Sequence, residues 1–559
     1  MSGLHQRRGS IGGAIRGAPR EAAGVDGSVP AIAPGVVFDE KKIDSILTSL
    51  NQCALPGAAV GIAINGRPVY RKGFGLASME LPVVLSPSIR MRIGSTTKHF
   101  TAFAYMLMCE EGRAHPDDPL EKYFPELHRV THKVTMRQLM GNTSGLRDAN
   151  DIRFQFSGTT GRRTTRSDLV SLYRHMDDTN TRPGEAWIYN NGGWVLLTAV
   201  LEKIAGESFE DLMRKRIFEP LGMHDTQVRS WDNDFVSNSA SPHTLNREGK
   251  LQRLFWDQDY AGAGAITSTV DDMLRWAANM DAHRLGSAET WELMKAPQTL
   301  PNGSSTGYAL GLIASRYRGV EVIHHPGGGT GCNAQLLKLP AAGLDVVMMI
   351  NRDDVSSTQL VYEILDAMLT GLLPVKKHSG PFATGLFRSP KTGRVIQLLE
   401  REGQQIVSTD GLDLPYEPDG SGMLWPIAES VHFRRSLVLV GAALKPTSLR
   451  FSDFGIADEL VPVEPAERSD PAAIVGRYRS DATGTEVTVS RTPEGVQLHS
   501  FGRFGSTEST LECITDGIWR ASTTGMVIPP WATLSFDGPR VGFNFTNFTT
   551  RSLPFRRIA

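Results

Sequence analysis

Met91–Cys109 reads MRIGSTTKHFTAFAYMLMC. It places Ser95 and Lys98 three residues apart, at the predicted first turn of an apolar helix. Positions i and i+3 share a helix face, so this spacing brings the Ser95 hydroxyl beside the Lys98 amine. Ser95 also stands at the positive end of the helix dipole, among backbone N–H groups that lack an intrahelical acceptor. A hydroxyl with a basic neighbour and nearby N–H donors is a nucleophile with half an oxyanion hole. The pair alone carries little. A chance S-x-x-K is expected about once in a chain of this length, and an N-cap serine followed by a solvated lysine explains it more simply.

The elements around this stretch define an α+β frame. Asp39–Asn51 has helical periodicity. Ala58–Ile64 and Pro68–Phe74 flank Asn65-Gly66, a strong hairpin signal. From Glu111 to about Asp257 the pattern reads as mostly helical, with loops at Gly145, Gly158–Gly161 and Pro183-Gly184. A helix over Trp194–Ala205 stops at Gly206, and Ser268 with Asp271 forms an S-x-x-D cap ahead of Met273–Met280. Strand patterns return at Tyr308–Ser315, Val320–His325, Asn333–Leu337 and Asp345–Asn351. An amphipathic helix, Ser357–Leu372, follows. Strands at both ends with helices between them predict a sheet assembled from the two ends of the domain, with a helical lobe inserted.

After Pro374 short alternating strands and Gly, Pro or Asp turns run to the end. GLFRSPKTGRVIQL at Gly385–Leu398 and GRYRSDATGTEVTV at Gly476–Val489 share Gly, aromatic, Arg, Ser, Thr and Gly in register, 91 residues apart. This predicts a duplicated all-β module of about 90 residues, the size of a small antiparallel barrel or sandwich. The expected division is a tail over 1–36, a catalytic domain over 37–375, and β domains over 379–463 and 470–559. The linkers fall at Pro374–Gly380 and Pro462–Pro471. The tail is rich in Gly, Ala and Arg and lacks a secretory apolar core; a flexible tail is favoured over an amphipathic targeting peptide.

Composition excludes several classes. With 59 basic and 60 acidic residues, the chain offers no bulk charge for nucleic acid or an anionic membrane. Cys53, Cys109, Cys332 and Cys513 are scattered without metal-ligand spacing, which argues against a zinc site or disulfide scaffold and suits a reducing, cytoplasmic compartment. No apolar run reaches the ~20 residues of a membrane helix.

Two further stretches bear on Ser95. PGEAWIYNN at Pro183–Asn191 holds Tyr189 and Asn191. A phenol near an ammonium loses its proton more easily, so Tyr189 beside Lys98 is a candidate proton carrier for Ser95, and Asn191 a holder of the amine or of a substrate amide. Taken alone, a buried, paired tyrosine and a helix-start asparagine are the simpler reading. HHPGGGTGCN at His324–Asn333 places consecutive glycines at a strand end, where another backbone can approach closely and an N–H can complete an oxyanion hole. His325 is a candidate for orienting substrate; a Gly-rich hairpin with surface histidines is the alternative. Cys332 reads as an ordinary small apolar residue.

The order S-x-x-K, Y-x-N, H-x-G resembles the serine β-lactamase and penicillin-binding-protein superfamily, in the branch with class C β-lactamases, D-aminopeptidases, esterases and 6-aminohexanoate-dimer hydrolase. LMGNTSGLRD at Leu139–Asp148, IFEPLGMHDT at Ile217–Thr226, GAGAITSTVDDMLRW at Gly262–Trp276 and HPGGGTG at His325–Gly331 extend the likeness over roughly Phe38 to Leu373. The resemblance implies a β-lactamase-like catalytic domain: Ser95 is acylated, Lys98 and Tyr189 move its proton, Asn191, His325 and Gly327 help bind, and the N–H groups of Ser95 and Gly328 form the oxyanion hole. It implies no cofactor or metal, a small-molecule or short-peptide substrate, and a homodimer. His325 stands where lactamases and carboxypeptidases carry lysine, which weakens recognition of a substrate carboxylate. With two β-barrels following, the layout is similar to that of D-stereospecific aminopeptidases. A broad esterase or amidase, or a non-catalytic receptor, are the alternatives. The family's barrel loop that restricts the mouth corresponds to His499–Ser509. Its Arg503, if it faces the pocket, repels a substrate amine; as a solvated turn residue it has no such effect.

Overall fold

The computed structural model describes residues 33–559 except 158–162, 247, 254, 256–257, 375–379, 381, 419–422, 428–434, 455, 467–469, 503–504, 524–530 and 537–540. A six-stranded sheet carries the site. Its strands are β1 (Ala58–Ile64), β2 (Arg67–Phe74), β3 (Ile313–Tyr317), β4 (Val320–Gly329), β5 (Cys332–Leu339) and β6 (Leu344–Ile350). Their spatial order is β3-β4-β5-β6-β1-β2, with neighbours antiparallel. The chain ends of the domain thus meet at β6–β1, as the pattern of strands predicts. Asn65 and Gly66 take φ of 50° and 72°, the turn geometry that matches strand twist.

Helices cover both faces, so Ala58 through Ala63 are all buried. Ala58, Val60 and Ile62 pack with α1 (Glu40–Leu47) and α6 (Ser357–Met368) through Ile43, Leu47, Val361 and Leu365. On the other face lie α2 (Thr97–Glu110) and α5 (Val270–Ala282). Every residue from Thr97 to Met108 is buried, which explains why α2 is apolar almost all round. Its anchor is an aromatic cluster in which Phe100 stacks on Trp276 at 4.0 Å and Phe103 on Trp291 at 4.6 Å. Each such ring pair adds about 1 kcal/mol beyond its buried area.

Several local expectations shift. The helical reading of Glu111–Asp257 is reduced to short helices joined by long loops, of which the main ones are α3 (Ala149–Ser157) and α4 (Asn191–Ala205). Gly158–Gly161 lies outside the described residues. The cap of α5 is Thr269, whose hydroxyl accepts from the Asp272 N–H at 3.2 Å, because Ser268 is still in the strand Ile266–Ser268. Tyr308–Leu312 is not strand, since Gly307 and Gly311 both take positive φ and break the pleat. β4 runs on to Gly329, where β5 pairs it residue for residue. The final helix stops at Met368 so that Leu369–Thr370 can pair with Gly35–Val36. Residues 35–36 therefore belong to the folded unit and not to the expected tail; residues 1–32 lie outside the described residues.

Two closed eight-stranded barrels follow, over Gly385–Pro462 and Gly476–Arg557. The repeat marks equivalent places in them. Gly393 and Gly484 turn with φ of 72° and 68°. Phe387, Ile396, Leu398 and Val407 fill the first core, and Tyr478, Val487, Val489 and Leu498 are buried in the second.

Both barrels pack against the catalytic domain. Ser500 Oγ and Thr507 Oγ1 donate to the Phe156 and Gln155 carbonyls of α3 at 2.6 and 2.9 Å. Arg551, from the last loop of the second barrel, reaches Asp410 and Asp453 of the first at 2.7 and 2.8 Å, and its N–H donates to Asn180 Oδ1 at 2.8 Å. Burial alone would raise the Asp453 carboxyl, but Arg435, Arg551 and Arg394 around it hold it well below the usual carboxylate range.

Candidate active site

Ser95 sits in a tight turn, Gly94–Thr96, that feeds straight into α2. The S-x-x-K spacing therefore works across a turn-to-helix junction, and the two side chains still meet. Lys98 Nζ lies 3.0 Å from Ser95 Oγ, and the Tyr189 hydroxyl donates to the same Oγ at 2.7 Å. Lys98 Nζ also donates to Asn191 Oδ1 at 2.7 Å and to the Ala263 carbonyl at 2.8 Å. Ser95 and Tyr189 are partly exposed, whereas Lys98 has no exposed surface.

The segments that converge here are held by backbone and asparagine contacts. Ile93 N–H donates to the Ile266 carbonyl and Thr97 Oγ1 accepts from Ile266 N–H, which fixes the Gly262–Ala265 loop beside Lys98. Asn142, in the left-handed region at φ 54°, accepts from Ile188 N–H through its carbonyl and from Trp194 Nε1 through its side chain. Asn190 caps α4 by accepting from Gly193 N–H at 2.8 Å. These contacts hold Tyr189 and Asn191 on either side of a helix start.

Burial decides the protonation states. It pushes the Lys98 amine well below the usual lysine value, against an opposing pull from Asp148. Burial also raises the Tyr189 phenol above its ordinary value; its bond to Ser95 pulls it down and Asp148 pushes it up. The expected phenolate is thus disfavoured, because desolvation outweighs any help from a lysine that is itself driven neutral. In a neutral amine the two N–H groups satisfy Asn191 and Ala263, both of which only accept, and the lone pair is left for the Ser95 hydroxyl.

β4 forms the opposite wall. Its pairing with β3 ends at His324, so His325–Gly329 presents a free edge. Gly327 packs on the turn before Ser95, where a Cβ would overlap the Ile93 carbonyl oxygen. Gly328 is exposed with open space beside its Cα. Its N and O both face Gly94, each 2.8 Å from where a Gly94 Cβ would stand, and Gly94 itself has φ 51°. Gly94 was not singled out in the sequence; its position just before the serine was the available signal.

His325 is buried with both ring nitrogens engaged. Nδ1 donates to the Pro326 carbonyl at 2.6 Å, which leaves Nε2 to accept from the Tyr308 hydroxyl at 3.0 Å. Burial, with Lys98 and His99 nearby, keeps it well below the usual histidine value. It is neutral and carries no charge for a substrate carboxylate.

Aromatic residues from both barrels reach the tyrosine segment. Phe454 of the first packs at a tilt against Trp187 at 4.5 Å, and Phe548 of the second lies over Tyr189 at 6.5 Å. No sequence pattern marks either one. Arg503 lies outside the described residues; the strands that flank it pack on α3. Among the described residues no group of His, Cys, Asp or Glu could hold a metal ion, and no helix is long and apolar enough to cross a membrane.

Known proteins resemble this chain in sequence and in fold. A D-aminopeptidase of Brucella melitensis is 26% identical over 431 residues, 76% of this chain and 79% of its own length. An unguisins hydrolase of Aspergillus campestris is 24% identical over 60% of this chain and 66% of its own. In fold, the octameric penicillin-binding protein homologue from Pyrococcus abyssi superposes with a TM-score of 0.55 at 23% identity, over 76% of this chain and all of that one. The beta-lactamase family model matches residues 42–368, more than half of the chain, and spans each side chain placed around Ser95 except those lent by the barrels. The chain therefore belongs to the beta-lactamase family, and it is a serine hydrolase.

Proposed function

We propose that the protein hydrolyses small amides through an acyl-enzyme on Ser95, releasing N-terminal D-residues from short peptides or amino-acid amides. The observation that carries the chemistry is the pair of contacts on Ser95 Oγ, from Lys98 at 3.0 Å and from Tyr189 at 2.7 Å. Neutral Lys98 takes the Ser95 proton as Oγ attacks the carbonyl carbon. The N–H groups of Ser95 and Gly328 take the developing oxyanion. Tyr189, kept as a phenol, donates its proton to the leaving amine and is reprotonated through Ser95's former proton on Lys98. Water then reverses the sequence to free the acid. Asn191 holds the Lys98 amine, while Gly327 lets the β4 edge close on the serine turn. His325 braces that edge through Tyr308.

Three features support the D-amino-acid amide reading. The likeness to the D-aminopeptidase extends over 76% of the chain and therefore reaches beyond the family domain. Phe548 and Phe454 crowd the tyrosine segment, which suits short substrates. Neutral His325 suits a substrate whose free end is not a carboxylate. The neutral histidine equally favours a broader esterase or amidase. A homodimer in the cytoplasm completes the proposal, to be checked by light scattering on the purified chain. A panel of D-Ala-p-nitroanilide, its L-isomer, p-nitrophenyl butyrate and nitrocefin, with Ser95→Ala as control, tests the function. Preference for the D-anilide supports the aminopeptidase. Equal or better turnover of the ester supports the broader hydrolase, and inactivity on all four overturns both.

A further inference from the structure

The acyl-transfer steps leave one buried carboxylate without a part. Asp148 has no exposed surface. Its Oδ1 accepts from the N–H groups of Asn150 at 2.9 Å, Asp151 at 3.2 Å and Gly192 at 2.9 Å. Its Oδ2 accepts from Asn191 N–H at 2.7 Å. One side chain therefore caps the first turns of both α3 and α4, where unpaired N–H groups and the helix dipoles favour a negative charge. The approach is close: a Cβ on Gly192 would stand 2.9 Å from Ala149 N and 3.1 Å from Asp148 Oδ1, and would overlap the Tyr173 hydroxyl.

Asn191 links this cap to the nucleophile. Its N–H meets Asp148 and its Oδ1 meets Lys98 Nζ, both at 2.7 Å. One residue thus separates a buried carboxylate from the amine that takes the serine proton. The other end of the cap is tied to the second barrel. Asp151 Oδ2, in the first turn of α3, accepts from Asn547 Nδ2 at 2.9 Å, Thr549 Oγ1 at 2.5 Å and Thr550 Oγ1 at 3.3 Å.

We propose that Asp148 is a positioning residue for the acylation step: it locks Asn191 against Lys98, and its charge sets the pH at which Lys98 can receive the Ser95 proton. The inference rests on the acyl-transfer reading above. The groups that face Asp148 are Asp151 on α3, Lys98 on α2, Tyr189 ahead of α4, Tyr173, and Tyr260 from the segment before the Gly262–Ala265 loop. Lys98 is the one group among them that becomes a cation when it takes a proton. A carboxylate nearby favours the ammonium, so Asp148 raises the pH below which Lys98 is protonated and idle. Burial and Asp151 push the Asp148 carboxyl up to about 6, while the N–H groups of Gly192, Asn191 and Asp151 pull it down. It is therefore ionised at neutral pH, where this influence is exerted.

The test is the rate at which a fluorophosphonate labels Ser95, followed against pH in the wild type and in Asp148→Asn. The amide keeps the shape and one acceptor but loses the charge. The acid-side midpoint should move down by about one pH unit. A variant with the wild-type midpoint, whatever its maximal rate, overturns the proposal, because a purely structural cap lowers the rate equally at all pH. Should Asp148→Asn fail to fold, hydrogen exchange of the wild type at Asn191 and Gly192 decides. Protection, corrected for intrinsic rates, should fall several-fold as Asp148 is protonated, and protection that does not change with pH overturns it. A wild type that never labels refutes the acyl-transfer reading instead.

Discussion

Gly94→Ala is the sharpest structural test of the site, because it disturbs no side chain that touches Ser95. The added Cβ would stand 2.8 Å from both the N and the O of Gly328, and 3.1 Å from the Gly327 carbonyl carbon. Real Cβ atoms do not sit so close to backbone, and Gly327 is pinned by its pairing with Ala334. The β4 edge must therefore tilt away from the serine turn. The backbone itself adds strain, since φ is 51° and alanine in that region costs about 1 kcal/mol. If the tilt removes the Gly328 N–H from the oxyanion, the loss is on the order of 3 kcal/mol of transition-state stabilisation, or roughly a hundredfold in rate. That donor acts on charge that develops only in the transition state, so kcat should fall about a hundredfold with KM changed little. Steady-state kinetics with a p-nitroanilide or p-nitrophenyl ester, alongside a thermal melt, reads both terms. A folded Gly94→Ala enzyme with kcat within threefold of wild type would refute the oxyanion assignment of Gly328.

Other perturbations probe the proton path and the domain junction. Tyr189→Phe should lower the acylation rate by about a hundredfold or more, through loss of the phenol that serves the leaving group. With Lys98 as base, kcat/KM should hold through neutral pH and fall on acidification, since protonation below the depressed lysine value removes the lone pair. A rate that instead climbs into the alkaline range where a raised phenol ionises would assign base duty to Tyr189. Arg551→Met should destabilise the chain by about 3–5 kcal/mol, because it strips a cation from buried Asp410 and Asp453 while leaving the backbone tie to Asn180 in place. A chemical denaturation curve unmoved by this change would show that the Arg551 ion pairs contribute nothing to the junction.

What was legible in the sequence follows from how local each signal is. Asn65-Gly66 fixes a hairpin through its own φ angles, and the apolar run after Ser95 has one stable solution, a buried helix. The paired glycines of the repeat mark equivalent turns in two barrels because each needs the same positive φ. The motifs around Ser95 carry their chemistry in residue type and order, so the meeting of S-x-x-K with Y-x-N at hydrogen-bond distance could be anticipated, as could the packing of the glycine strand on the serine turn. The rest depends on partners far along the chain. HPGGG has poor strand propensity, yet it is strand because β5 supplies a partner for every residue. Asp148 reads as a loop residue until Asn191 and Gly192, forty-odd positions on, bring their N–H groups to it. Phe548 and Phe454 sit in barrel loops without any periodic pattern, and only docking of the barrels places them at the tyrosine segment. The protonation states were illegible for the same reason: proximity of phenol and amine argued for a phenolate, and burial of both reversed it.

The most direct measurement is intact-mass and peptide analysis of the full chain quenched during turnover of an activated ester or anilide. The account predicts one acyl group per chain, on the peptide that holds Ser95, and none in Ser95→Ala. Turnover by an enzyme that carries no adduct, or carries it on another residue, would contradict it.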